Sequence, residues 1–494
     1  MSIFKRLISV ILCLGLITGA LCGCGEKYTE AIIYFELLEK PKTLDPQTAQ
    51  SDSELLIVRN IYEGLIRETA DGTIVNGACE SYTYENLKYT FYLKDDLVWS
   101  NGEVLTAYDF EYGLSRALDP KIKAPFASRL FAITNAEAVA NGSADTSALG
   151  VKAIDDKTLT ITLSKEDENF LKTLSTSVCM PCNKAFFENS IGKYGLDSEC
   201  IISNGSYRLT KWNKEEFGIR IYKNEEYKGE FVAKNAAVFI SCIADETQVS
   251  RLTGGSSDMA FIKGDELSAV AQNDNIINKG VQNVCWVLTV KREYSPQVRS
   301  AFAMSFSPHV YENSLTQGFS VAKSIYPDIL KINAAGVGVT EYNIDTAKSV
   351  MSEQIGNMPD SKFPQSTLYY YNESGAKELA TAIVGHWQQN LSTFVNIEPS
   401  DNLAVLQKEI GEGTLDFALF PITAKSESFS GYAKNFAAVS TAATPEMLQT
   451  ELLSQHYMLP VAFQTTNVSY VSSLENVNVY EENGYIDFSV VIKR

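Results

Sequence analysis

Histidine is almost absent from this chain of 494 residues: His309, His386 and His456 are the only three, spaced too widely in sequence to suggest a metal cage. Positive charge is short as well. Lysine and arginine number 42 against 60 aspartates and glutamates, a formal net charge of −18. Phosphate backbones and anionic bilayer surfaces repel such a chain, which argues against a nucleic-acid partner. A second long apolar run is missing, so a multi-span membrane protein is excluded. Catalytic motifs are missing too. There is no Ser–His–Asp arrangement and no HExxH. Gly336-Val337-Gly338 lacks the third glycine and the strand–helix context of a phosphate loop. The sequence asks for no metal and no cofactor, and an enzyme is not expected.

What is present is a folded body behind a short leader. Hydrophobic residues make up 45% and charged residues 21%, the balance of a globular chain, and roughly 150 residues per domain gives about three units. Lys5 and Arg6 precede an apolar stretch from Leu7 to Leu21, shorter than the ~20 residues of a spanning helix, so it reads as an export signal. Leu21-Cys22-Gly23-Cys24 resembles a bacterial lipobox. That resemblance implies cleavage after residue 23 and lipid modification of Cys24, anchoring the protein to a membrane face. The alternative is plain secretion with Cys24 as an ordinary residue.

Of nine cysteines, those at 13, 22 and 24 belong to the leader or the anchor, leaving 9 − 3 = 6 for the mature fold. Export permits disulfides, but their connectivity cannot be deduced. Cys179-Met180-Pro181-Cys182 has redox-motif spacing. A thioredoxin-like site would set it at a helix start after a buried strand. Ser175 to Val178 reads instead as a strand passing into a loop, so structural thiols are expected.

Periodicity gives mixed α and β elements without repeats or long linkers. Leu87, Tyr89, Phe91 and Leu93 alternate with polar residues, as do Leu159, Ile161 and Leu163, predicting half-buried strands. Capping boxes at Ser51–Glu54 and Thr106–Asp109 open two helices. The first buries Leu55, Val58, Ile61, Tyr62 and Leu65. The second buries Phe110, Leu114, Ala117 and Leu118 and stops at Asp119-Pro120. Residues 140–150 read as a surface excursion. Farther on, a strand at Thr367–Tyr371, a helix bearing Leu379, Ile383, Val384, Trp387 and Leu391, a strand at Phe394–Glu398, a short helix near Leu403–Ile410 and a strand at Leu415–Phe420 form an α/β alternation. Since no linker marks a boundary, domains are expected to be joined by crossing strands.

A set of short motifs recurs in a recognisable order: Thr43-Leu44-Asp45-Pro46, Asn60-Ile61-Tyr62-Glu63-Gly64-Leu65, Tyr89 to Lys94, Trp99-Ser100-Asn101-Gly102 through Phe110, Arg116 to Pro120, Gly150 to Leu159, Ser203-Asn204-Gly205-Ser206-Tyr207, Asn224-Glu225-Glu226-Tyr227 and Val298 to Phe302. In order and spacing they resemble the family-5 extracellular solute-binding proteins, the oligopeptide- and dipeptide-binding proteins of ABC importers. The likeness is dense through residue 260 and thins after about residue 330. Each piece also has a plain local reading. Asn101-Gly102 and Asn204-Gly205 are turns, and Asp45-Pro46 and Asp119-Pro120 end elements, so most of these motifs are expected to hold the fold rather than the ligand.

The resemblance implies an α/β, two-lobed, periplasmic-binding-protein-like (type II, hinged) fold with an extra α/β domain inserted in the N-terminal lobe. The expected division is a signal peptide at 1–23, lobe I from 24–45, 170–265 and 465–494, the inserted domain II at 46–169, and lobe III at 266–464. It implies a monomeric receptor that encloses a peptide or peptide-like ligand by hinge closure and passes it to permease subunits. A surface sensor with no uptake role is the alternative.

Ligand contacts by resemblance are Ser51, Asp52 and Ser53 on one strand-like edge, which also cap a helix. On the second edge they are Ile422, Thr423, Ala424, Lys425 and Glu427. Relatives carry there a Trp-x-Ala-Asp-Tyr pattern whose aspartate meets the peptide amine. Here Pro421 has no N–H to donate, and Lys425 stands where the aspartate is expected, with Glu427 two residues on. Like charges 4 Å apart cost about 4 kcal/mol at an effective dielectric near 20, so recognition of a free N-terminus is in question. For Trp286 two readings are open, pocket wall and core packing.

Overall fold

The computed structural model describes residues 29–37, 40–213, 218–241, 247–262, 266–315, 318–373, 375–424, 429–436, 440–479 and 485–494. The leader with Cys24, and also Cys242, Lys425 and Glu427, lie outside the described residues.

The strands that position the site are, in chain order, β1 (Thr29–Glu36), β2 (Cys79–Glu85), β3 (Lys88–Leu93), β4 (Val151–Ala153), β5 (Thr158–Thr162), β6 (Tyr207–Asn213), β7 (Gly218–Lys223), β8 (Asn235–Ser241), β9 (Met259–Ile262), β10 (Ile276–Val290), β11 (Phe319–Val321), β12 (Ser366–Tyr371), β13 (Val395–Ser400), β14 (Phe417–Thr423) and β15 (Met458–Val471). The helices are α1 (Asp52–Ile61), α2 (Ala107–Leu118), α3 (Pro296–Met304), α4 (Pro308–Tyr311), α5 (Ile344–Gly356), α6 (Ala376–Leu391), α7 (Leu403–Gly411) and α8 (Pro445–Ser454).

Eleven strands form one sheet in the order β13-β12-β14-β10-β15-β9-β1-β8-β7-β6, with β11 added on β15. Two strands carry it from one lobe to the other. β10 has 15 residues and β15 has 14, roughly 50 Å each at about 3.3 Å per residue. They run antiparallel from Ile276 opposite Val471 to Thr289 opposite Met458, with register shifts at Gln282/Val284 and Trp286/Val287. At one end β15 pairs with β9, and at the other β10 pairs with β14. The lobes are therefore joined by crossing strands. Gly280 sits in this crossing, where a Cβ would stand 2.5 Å from Thr465 Cγ2 and 2.6 Å from Asn467 Oδ1. A side chain at 280 would have to displace the Thr465 and Asn467 side chains.

Alternation along β10 divides the lobe III interior. Trp286, Leu288 and Val290 enter a core with α3, α5 and α6. Cys285 and Val287 face the opposite side, with α7 and α8. A strand buried on both faces reads as a continuous apolar run, as Val284 to Leu288 does. The early block builds a separate sheet, β2-β3-β5-β4, but its side chains share one core with β1 and β6–β8. It leans on lobe I rather than standing alone.

Both capping boxes form, and the helical stripes predicted for α1, α2 and α6 are buried. Three local expectations are corrected. Ser175 to Val178 is not a strand: a helix spans Phe170–Leu174 and a 3-10 turn Ser177–Cys179. The Ser175 and Thr176 hydroxyls donate to the carbonyls of Lys172 (2.8 Å) and Thr173 (2.6 Å) and close that helix end. Leu87 leaves the strand stripe. With Asn86 it makes a left-handed two-residue turn (φ 52 and 63) joining β2 to β3. The strand expected from Phe394 starts at Val395, leaving Phe394 61% exposed.

Candidate functional site

Parallel pairing fixes where both lobes present their strand ends. β1 runs parallel to β8 and β9, and β12 runs parallel to β13 and β14. Ile262, the last residue of β9, lies opposite Asn467, and Thr423, the last of β14, lies opposite Val284. Both sets of carboxyl ends therefore face the two-strand crossing. In open α/β sheets this is where ligands bind.

On the lobe I side Glu36 ends β1. It is 1% exposed and accepts from Ser241 Oγ (2.7 Å) and Arg251 Nε (2.8 Å). The segment that follows is organised by Glu54, which accepts from the backbone N–H groups of Lys42, Thr43, Gln50 and Ser51. Ser51 is thereby committed: its N–H goes to Glu54, its carbonyl accepts from Leu55 N, and its hydroxyl accepts from Glu54 N. Asp52 is half-buried and Ser53 is buried.

On the lobe III side β12 pairs with β14 only as far as Leu419, while β14 keeps its ladder to β10 through Thr423. Phe420 to Thr423 thus forms an edge on the β12 side. Ala424 N donates to Asn283 O at 2.8 Å, continuing the other side. Ile422 (2%) and Ala424 (0%) send their side chains into the core, and Thr423 is half-buried. This stretch therefore offers backbone more than side chain.

Trp286 is fully buried. Its Nε1 donates to Gln464 Oε1 at 2.8 Å, and Gln464 Nε2 reaches Glu373 Oε1 at 3.4 Å, just past the carboxyl end of β12. The ring itself packs near Phe319. Among the described residues, no three metal-ligating side chains gather.

The motifs that carried the family likeness meet away from this crossing. Glu63 N donates to Asn204 Oδ1 (3.1 Å) and Asn204 Nδ2 donates to Glu63 O (2.8 Å). Tyr227 donates to the Glu63 carboxylate at 2.6 Å, and Asn224 Nδ2 donates to Gly205 O. Burial raises the Glu63 carboxyl above its usual range, with Arg67 and Tyr227 pulling the other way. Asp487 is opposed by burial as well, but Arg67 and Ser489 outweigh it and leave that carboxyl lowered. Asn204-Gly205 is thus a joint between distant segments as well as a turn. A Cβ on Gly205 would meet Ile61 and Tyr62 backbone atoms at 2.8–2.9 Å. Gly205→Ala is expected to cost about 1–3 kcal/mol through backbone displacement, read as a shift in urea midpoint at unchanged slope.

Cys79, Cys179, Cys182, Cys200 and Cys285 are all free thiols. Burial pushes Cys79, Cys179 and Cys182 up to about 12 and raises Cys285 further. Cys200 is raised as well, by burial and by Asp197, but it is only half-buried while the other four are buried. A thiolate is the reactive species and must be reached by the reagent, so alkylation of native protein at pH 8 should modify Cys200 first and spare these four until urea is added. Rapid native labelling at Cys179 or Cys182 would show the burial to be wrong.

Residues 73–443 match the family model of bacterial extracellular solute-binding proteins, family 5. The oligopeptide-binding protein OppA of Bacillus subtilis is 26% identical over 400 residues, covering 77% of this chain and 73% of its own. The dipeptide-binding protein DppE of the same organism is 25% identical over 421 residues, covering 80% and 76%. Among solved structures, Listeria monocytogenes OppA bound to peptide superposes with a TM-score of 0.76 at 18% identity, over 94% of this chain and 99% of the other. The fold is the two-lobed, hinged, periplasmic-binding-protein-like α/β fold with an extra domain in the N-terminal lobe. The chain belongs to the family 5 bacterial extracellular solute-binding proteins.

Proposed function

We propose that this protein is an extracytoplasmic receptor, held to the bacterial cell membrane by acyl chains on Cys24, that captures peptides or peptide-like solutes by lobe closure and delivers them to the permease of an ABC importer. The observation that carries the reading is the convergence of both lobes' strand ends on one crossing, in a chain whose relatives are named for oligopeptide and dipeptide binding. The domain ranges given above belong to this reading. So does the assignment of Ser51, Asp52, Ser53, Ile422, Thr423, Ala424, Lys425 and Glu427 to the ligand cleft.

An extended peptide brings unpaired N–H and C=O groups, which a strand edge such as Phe420–Thr423 pairs whatever the side chains. Trp286 supports the site from beneath, through Gln464 and Glu373. The protein does no chemistry on its cargo and works as a monomer. Micromolar capture corresponds to about −8 kcal/mol, within reach of main-chain pairing and closure.

Calorimetry against pools of short peptides should find saturable binding. Binding of a sugar or metal chelate with none to any peptide would reject the substrate class. A Cys24→Ala form should leave the membrane fraction, and its retention there would reject the anchor. Deletion in the native host should reduce peptide uptake; unchanged uptake with altered signalling would favour a sensor.

A further inference from the structure

Lobe III holds a cavity of about 320 Å³ that the cleft does not use, at the small end of ligand-pocket sizes. It lies beside edge strand β11, where the two lobe III cores meet: Ala303 and Tyr311 come from one core, Ala322 and Leu453 from the other. Its floor is Leu459 and Pro460 at the start of β15. Pro460 is four residues from Gln464, roughly 13 Å along the strand, so the cavity is distinct from the crossing.

Its roof is the segment carrying Gly336-Val337-Gly338, the glycine pair that fits no phosphate loop. Glycines at 336 (φ 79) and 338 (φ 69) are left-handed. Gly336 lines the cavity and its N–H donates to Lys323 O at 3.1 Å, while Gly338 lies against Thr450 and Leu453. Among the described residues, Lys323 is the one charged residue in the cavity wall, and no carboxylate lines it. Glu341 is exposed and stands outside that lining.

Behind the wall stand all three histidines. The Thr340 hydroxyl meets His456 Nδ1 at 3.1 Å. The Tyr342 ring packs on His309 at 4.6 Å and near His386 at 6.5 Å. Residues scattered in sequence are thus gathered here by the fold. An apolar chamber with a single cation at its mouth, in a strongly acidic chain, selects its occupant by charge complementarity.

We propose that this cavity is a second binding site, for a small amphipathic carboxylic acid. The apolar body fills the chamber, and the carboxylate sits at Lys323 Nζ beside the hydroxyls of Thr340 and Tyr342. The proposal is independent of peptide capture in the cleft.

The test is calorimetric titration of the full chain with decanoate below its aggregation concentration, and with decanol and a peptide pool in parallel. Saturable one-to-one decanoate binding is expected. It should weaken about fivefold in Lys323→Met, as for a solvent-exposed ion pair, with decanol binding unchanged. It should be lost in Ala335→Trp, whose exposed position lets the indole close the mouth, and Val339→Trp provides the same block if that variant folds poorly. Absence of saturable binding, parent-like decanoate binding in both blocking variants, equal affinity of Lys323→Met for decanoate, or displacement of decanoate by peptide would each overturn the proposal.

Discussion

Asp45→Ala is expected to lower the unfolding free energy by about 3–5 kcal/mol, the cost of leaving one member of a buried ion pair without its partner. Asp45 is 3% exposed and Arg116 is 5% exposed. Arg116 Nη1 donates to Asp45 Oδ1 at 2.7 Å and to Gln47 Oε1 at 2.6 Å, while its Nη2 donates to the second carboxylate oxygen. The guanidinium also lies over the rings of Phe187 and Tyr194, with centroid distances of 4.2 and 5.2 Å. Burial opposes its charge, but Asp45 more than compensates and holds Arg116 above its ordinary value. Removing the carboxylate leaves a buried cation with one neutral acceptor. Against a total stability of roughly 5–15 kcal/mol for a folded protein, that loss dominates. Asp45→Asn keeps an acceptor and should cost clearly less. Urea unfolding of the two variants checks this, and a loss under about 1 kcal/mol for Asp45→Ala would contradict the packing described.

Trp286→Ala should cost about 3–5 kcal/mol as a buried large-to-small change, with a further penalty because Gln464 loses its donor. Trp286→Phe separates shape from hydrogen bond and should cost about 1–3 kcal/mol. Because the ring is fully buried, peptide affinity of the phenylalanine variant should stay within a few-fold of the parent. Denaturant titration and calorimetry on the same samples measure both quantities. A fall in affinity of a hundredfold with unchanged stability would make Trp286 a pocket wall instead.

What was legible in the sequence was local. The capping boxes at Ser51–Glu54 and Thr106–Asp109 and the stripe from Leu379 to Leu391 need only residues within a few turns of one another, and they form as expected. Ser175 to Val178 misled because hydroxyl-rich stretches suit strands and helix ends alike, and only the carbonyls they reach decide between them. Asp45 and Arg116 are 71 residues apart, Glu63 and Asn204 are 141 apart, and Trp286 and Gln464 are 178 apart, distances over which spacing carries no signal. Asp45-Pro46 therefore read as an element end when Asp45 is also an ion-pair partner. The histidines read as scattered although two of their rings lie 6.4 Å apart. At the site, the Ser51–Glu54 capping box was legible, but not that the same Glu54 carboxylate gathers the N–H groups of Lys42, Thr43 and Gln50, the first two more than ten residues before it. The face that Ile422 and Ala424 take is set by β10, far away in sequence, so spacing could not show that their side chains turn into the core and leave backbone at the edge.

Small-angle X-ray scattering with and without a binding peptide tests the central claim most directly. Closure about the β10–β15 crossing predicts a smaller radius of gyration when peptide is added, together with about 2.7 kcal/mol of added stability at a hundredfold excess over Kd. A radius unchanged at saturating peptide would contradict a receptor that shuts its lobes on its cargo.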